Sequence, residues 1–328
     1  RSALDDESAV VRMAVLDAMA DWPGTATLDD LLAAAKTSAT PEEGSKALES
    51  YVRQLRKASG LSVQRRYEGF AEALELARTD DAKKLALAGL SELATPQAAE
   101  LAQQYVDDTA VATEAQLAVV KVAQAICGAY PEKARAYVEP YLPEGVPQAL
   151  RNAAHHVMHL VKHFEDYLVA WEVAGPYEQE GKTAKMLFDM PFPPEQTDEQ
   201  AAWRLMPIMS KPARAWVLDL DAAMHGYERV AYLRTQVRPP EAMHAVLELG
   251  TNDGVKVWFN GDLVHALNVG RVLTPGEDKL DVRLEEGWNS LMLAVYQHGG
   301  DWQACARLRT PDGAVIEGLE SRVPSAAE

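Results

Sequence analysis

The side chains best suited to hold a small ligand sit near the C-terminal end of the chain, where Trp302 follows Gly299, Gly300 and Asp301. A tryptophan in a glycine-rich turn can lie against the apolar face of a pyranose ring, because the indole offers a broad, rigid surface with a polar tip. Asp301 and His298 would then hydrogen-bond ring hydroxyls, and Asn268 and Arg271 would reach the same ligand from another loop. The competing reading makes Trp302 a cap on the hydrophobic core, with the glycines serving only the turn. Trp258 and Trp288 fall at strand positions where an aromatic ring packs inward, so neither is expected to meet a ligand.

Other chemistry finds less support. His155, His159 and His163 share one helical face at successive turns, with His156 beside them. Two histidines one turn apart can bind zinc. The Glu of a His-Glu-x-x-His general base is missing, however, since His156 stands in its place. Hydrogen bonding by these imidazoles at a domain junction accounts for the run, and no metal is assigned. Asn252-Asp253-Gly254 could offer oxygen ligands to calcium, but it reads first as a turn. No nucleophile elbow, phosphate-cradling loop or dinucleotide fingerprint occurs. Paired carboxylates for glycoside cleavage are set by spatial separation, which a sequence does not give. The chain is therefore read as non-enzymatic, with no catalytic residue and no cofactor.

Composition narrows the partners. With 32 Lys and Arg against 49 Asp and Glu, the 328-residue chain carries a formal charge of −17. Such a field repels phosphate backbones and anionic lipid surfaces, so neither nucleic acid nor membrane is an expected partner. Runs such as 118–126 and 291–296 are too short to span a bilayer, which takes roughly 20 apolar residues. Cys127 and Cys305 are too few for a disulfide framework and read as two buried free thiols.

The elements that must position these residues change character near Phe164. Residues 1–163 read as amphipathic helices separated by Pro23-Gly24, Thr40-Pro41, Gly60, Thr95-Pro96, Pro131 and the stretch 140–147. Val10, Val11, Ala14, Val15 and Ala18 form one apolar helical face. Aligning the helices on Ala14, Ala47, Ala86, Ala118 and Ala154 gives an irregular period near that of two-helix solenoid repeats. Beyond residue 164 the text alternates, with turns every eight to twelve positions, as in a sandwich or barrel. Strands are predicted near 168–174, 185–189, 214–220, 229–237, 243–249, 254–260, 262–267, 279–284, 290–297 and 303–310. Asn260-Gly261 is a two-residue hairpin turn. Residues 190–212 read as a long loop, and 319–328 as a frayed tail.

Two resemblances add to this reading. Asp5-Asp6-Glu7-Ser8-Ala9-Val10-Val11-Arg12-Met13-Ala14 resembles the start of the second helix of a HEAT repeat. Trp171 to Tyr177, Asn252 to Gly261 with Val264-His265, Glu286 to Leu291, and Gly299 to Trp302 resemble the galactose-binding-like jelly rolls of glycoside hydrolases and large exported bacterial proteins. These imply a multidomain α plus β chain, with an N-terminal HEAT-like α-solenoid over 1–163 and a C-terminal antiparallel β-sandwich of jelly-roll type over 164–318. They also imply an extracellular or periplasmic setting, and an acidic carbohydrate-binding module for a neutral glycan with the helices as platform. The alternative is a protein-interaction scaffold that uses the helical surface to hold a protein partner, with a purely structural sandwich.

Overall fold

A computed structural model describes residues 2–38, 40–58, 61–196, 201–209 and 212–324. The expected break at Gly60 and the tail residues 325–328 lie outside these. The chain forms two compact units, residues 1–123 with 137–154, and residues 124–136 with 155–328. The strand-bearing unit thus extends back past residue 164. Its residue Gly128 lies so close to the Val169 carbonyl and the Ile208 side chain that a Cβ would clash, and Ile208 donates to the Ala125 carbonyl.

The first unit is helical. Its helices are α1 (Ala9–Ala20), α2 (Leu28–Thr37), α3 (Pro41–Lys57), α4 (Val63–Leu76), α5 (Asp80–Leu90) and α6 (Pro96–Gln103), followed by parts of α7 (Ala112–Ile126), α8 (Pro131–Val138) and α9 (Gln148–Lys162). Local chemistry starts them: the hydroxyls of Thr40, Ser62 and Thr79 each accept a first-turn backbone N–H, and Pro41 and Pro96 occupy positions that need no donor. Helices α1 and α2 pack on α3, and α4 packs on α5. Five ion pairs of this unit share one separation: Asp17 with Arg53, Asp21 with Lys57, Asp29 with Arg65, Lys36 with Glu72 and Arg56 with Glu92 are all 36 residues apart. Exposed pairs of this kind contribute little energy each.

Burial separates the first of the five aligned alanines from the rest. Ala47, Ala86, Ala118 and Ala154 are buried, whereas Ala14 is exposed. Helix α1 buries Leu16, Met19 and Ala20 instead, and the face of Val10, Val11, Ala14 and Ala18 meets solvent. The positions 36 residues after Val11, Ala14, Val15 and Ala18, which are Ala47, Ser50, Tyr51 and Gln54 of α3, are all buried, and Gln54 donates to the carbonyls of Trp22 and Gly24 in the turn between α1 and α2.

The second unit carries two antiparallel sheets built from β1 (Glu172–Tyr177), β2 (Arg204–Leu205), β3 (Leu218–Asp219), β4 (Arg229–Arg238), β5 (Met243–Thr251), β6 (Val255–Phe259), β7 (Asp262–Leu267), β8 (Asp278–Leu284), β9 (Asn289–Gln297), β10 (Gln303–Arg309) and β11 (Glu320–Arg322). Among the described residues, one sheet runs β2-β1-β4-β9-β6-β7 with β11 also on β4, and the other runs β3-β10-β5-β8. Leu233, Val257, Leu293 and Val295 of the first sheet share one core with Leu247, Leu249, Ala306 and Leu308 of the second, as alternation in a sandwich requires. Asn260 and Gly261 make the β6–β7 turn with φ of 50° and 90°.

Three expectations need correction. Residues 185–189 are not a strand: Thr183 starts the short helix α10 (Ala184–Leu187), whose Ala184 and Leu187 are buried at helical spacing. The segment 214–220 supplies only β3 before α11 (Leu220–Met224), capped by the Asp219 carboxylate. Residues 320–322, read as part of a frayed tail, pair with β4, and the guanidinium groups of Arg238 and Arg322 lie over the Trp288 ring at 5.1 and 3.9 Å. No described helix is long and apolar enough to cross a membrane. Cys127 and Cys305 are free and buried, and burial pushes their thiols up to about 12 and about 11.

A Cβ on Gly89 of α5 would press into the ring of Phe70, which is fully buried. Gly89→Ala should therefore destabilise the chain by about 1–2 kcal/mol, overpacking outweighing the gain in helix propensity. Urea denaturation reads this directly; a variant at least as stable as the parent would show that the ring yields freely.

Candidate functional site

At one end of the sandwich, Asp253 ties three loops together. It occupies a left-handed position (φ 59°) between β5 and β6 and is almost wholly buried. Its carboxylate accepts the backbone N–H of Arg271 at 3.1 Å, of His298 at 2.7 Å and of Gly299 at 3.3 Å. Its own N–H donates to the Arg271 carbonyl. Asn252-Asp253-Gly254 is thus a turn whose carboxylate serves as an acceptor for amides.

This clamp gathers the loops that carry the expected ligand residues but leaves them unequal in availability. Arg271 is spent inside the protein: its guanidinium bonds Asp278 and the Thr251 hydroxyl, with Glu277 at 3.5 Å. Asn268 is exposed and donates to the Lys185 carbonyl at 3.1 Å. Asp301 is exposed in the 298–301 turn. The His298 ring is half-buried with no hydrogen-bond partner for either nitrogen, and burial lowers its pKa. Trp302 is corrected. It is 0% exposed, its indole N–H donates to the Val295 carbonyl at 3.1 Å, and it belongs to the sandwich core, so no ring face is open to a ligand.

The histidines of α9 form no larger cluster. His159 and His163 stack at 3.8 Å, and Nδ1 of His163 lies 2.7 Å from the His159 carbonyl. Among the described residues, no three His, Cys, Asp or Glu side chains are placed to hold a metal.

An aromatic site lies elsewhere, on the face of the larger sheet that points away from the sandwich core. Pleating sends Glu172, Arg234, Met292 and Trp258 to that face, and register places them in one row across β1, β4, β9 and β6. The next row is Ala174, Tyr232, Ala294 and Lys256. Phe188, Met190 and Phe192, from the segment between β1 and β2, cover part of this face. Glu195 of that segment accepts the Tyr232 hydroxyl and pairs with Lys256 at 3.4 Å. Burial, reinforced by Tyr296 and Glu195, pushes the Tyr232 phenol above its ordinary range.

Where the cover ends, a groove of about 530 Å³ opens, lined by Trp203, Trp258, Arg234, Gln236, Ser290 and Met292. The Arg234 guanidinium stacks on Trp203 at 4.2 Å and bonds the buried Glu172 through Nε at 2.7 Å. This combination of apolar rings and a few fixed polar groups is the usual make-up of a small-ligand site. Trp258, expected to pack inward, instead shares the outer face with Lys256, and Trp203 lies in a stretch read as featureless loop. The signal for Trp258 was present, since Val255, Val257 and Phe259 claim the opposite parity. For Trp203 no signal was.

No family model and no curated protein matches the sequence. Among solved structures, the chain is similar to the PA14 domain of the MpAFP antifreeze protein, with 15% identity over 48% of this chain and 74% of that one and a TM-score of 0.26. It is also similar to a PA14 sugar-binding domain from an RTX adhesin, with 20% identity, 28% and 51% coverage and a TM-score of 0.23. A third is a beta-glucosidase from Kluyveromyces marxianus, with 11% identity, 43% and 16% coverage and a TM-score of 0.28. The chain spans about half of the adhesin domain and a sixth of the glucosidase, and likenesses this partial leave the function to the geometry.

Asp253→Ala should leave three loop amides without their acceptor and cost about 3 kcal/mol. Thermal melting and amide exchange at residues 271, 298 and 299 check this, and unchanged protection there would remove the clamp.

Proposed function

We propose that the strand-bearing unit is a non-catalytic carbohydrate-binding module and that its ligand lies in the groove between Trp203 and Trp258. The carrying observation is the pairing of two half-buried indoles with a fixed guanidinium in a cavity large enough for one or two sugar rings. A pyranose has an apolar face suited to an indole and equatorial hydroxyls suited to Arg234, Gln236 and Ser290. The galactose-binding-like jelly-roll reading of the sequence agrees with this role. Non-catalytic action fits the state of the two nearby carboxylates: Glu172 is tied to Arg234, and Glu195 to Tyr232 and Lys256. An extracellular or periplasmic setting suits such a module.

A second reading concerns the helical unit. Five ion pairs at a separation of 36 residues support a HEAT-like repeat, and in such a repeat the face of Val10, Val11, Ala14 and Ala18 is the one on which a neighbouring helix pair stacks. On this reading the helical surface would serve as a platform for a protein partner.

Trp258→Ala is expected to weaken binding to an immobilised glycan by at least about tenfold, and Trp203→Ala comparably, while both variants melt near the parent. Affinity electrophoresis across a glycan panel provides the readout. Full retention in both variants, or no binding of any glycan by the parent, would dismiss the groove as a saccharide site.

A further inference from the structure

We infer that the groove selects saccharides bearing a carboxylate, uronic acids above all, with Arg234 as the residue that receives the carboxylate. The inference rests on the reading of the groove as a saccharide site and adds the class of sugar.

Arg234 is held but not used up. Its Nε is committed to Glu172, while its two terminal nitrogens have no bond to any described residue, and a third of the side chain is exposed. Stacking on Trp203 fixes the plane of the guanidinium. Arg234 lines the groove, and a planar guanidinium fork with both terminal nitrogens uncommitted can meet a carboxylate through two parallel hydrogen bonds, which a lysine at the same place could not match. A hydroxyl can take one such bond but leaves the other donor unmet.

The surrounding charge points the same way. Among the described residues, Glu172 beside Arg234 and Glu195 at the rim are each paired with a cation, so neither opposes an incoming carboxylate at full strength. Gln236 has its carbonyl oxygen occupied by Arg322, which turns its amide nitrogen into the group left for a ligand. The groove therefore presents donors more than acceptors and calls for a ligand rich in acceptors. The −17 charge of the whole chain sets the opposite limit. Long polyanions are repelled over the Debye length, which favours a short or terminal uronate over a densely charged polymer.

The test is calorimetric titration of the full chain with galacturonate and glucuronate oligosaccharides and with the same oligosaccharides after reduction of their carboxyl groups to alcohols. The expected result is binding of at least one uronate at least about tenfold tighter than its reduced form. Arg234→Lys, which keeps the charge and the pairing with Glu172, should bring the two within about threefold, and Trp258→Ala should weaken both. Equal affinity of the parent for uronate and reduced forms would overturn the inference and leave the saccharide reading standing. Tight binding of a short peptide through its C-terminal carboxylate, with none of the sugars bound, would overturn both. The comparison between ligands is made on the parent protein, so it holds whatever the stability of the variants.

Discussion

The larger sheet is apolar on both faces, and most of the second unit follows from that constraint. One face meets the smaller sheet, as in any sandwich. The other carries Val230, Tyr232, Ala294 and Tyr296, all fully buried, and a sheet cannot leave four such side chains in water. The segment between β1 and β2 supplies the cover with Phe188, Met190 and Phe192, and the ion pair of Glu195 with Lys256 fixes where it lies. The groove is the part of the face that the cover leaves open. Trp258, Arg234, Gln236, Ser290 and Met292 are therefore set by register and pleat, two of the most rigid features a protein has, while Trp203 comes from the covering segment.

The opposite principle governs the loop end. There the backbone is irregular, and a single carboxylate organises it by accepting three amides. Asp253, Arg271 and Asp278 are spent on this order, which explains why residues of promising type converge without forming an open site. Chemically able side chains in loops often serve the loop itself, and the distinction rests on whether their hydrogen bonds close internally.

Much of the architecture was legible in the sequence. The change from a helical to a two-residue rhythm near Phe164, the long strands from β4 to β10 and the Asn260-Gly261 turn all follow from local pattern. The errors have particular causes. Trp302 was placed in a ligand site because glycines mark exposed turns, but the turn is exposed while Trp302, just before β10, turns into the sandwich core. Trp258 was placed in the core by its residue type, against the parity set by Val255, Val257 and Phe259. Residues 185–189 were read as a strand from five residues, too few to separate the two rhythms. The 36-residue separation shared by five ion pairs of the helical unit is not visible from the alanines, which mark close packing. The long segment bearing Trp203 has no period at all, and only folding against the sheet gives it a role.

The central claim is that a ligand meets the outer face of the larger sheet and not the loop end. Nitrogen–proton correlation spectra of the seven tryptophan indoles report on both places at once. On titration with a bound oligosaccharide, the indole signals of Trp203 and Trp258 should move together while that of Trp302, sealed in the core, stays fixed. Movement of the Trp302 signal and of the His298 ring, with Trp203 and Trp258 unchanged, would contradict the account.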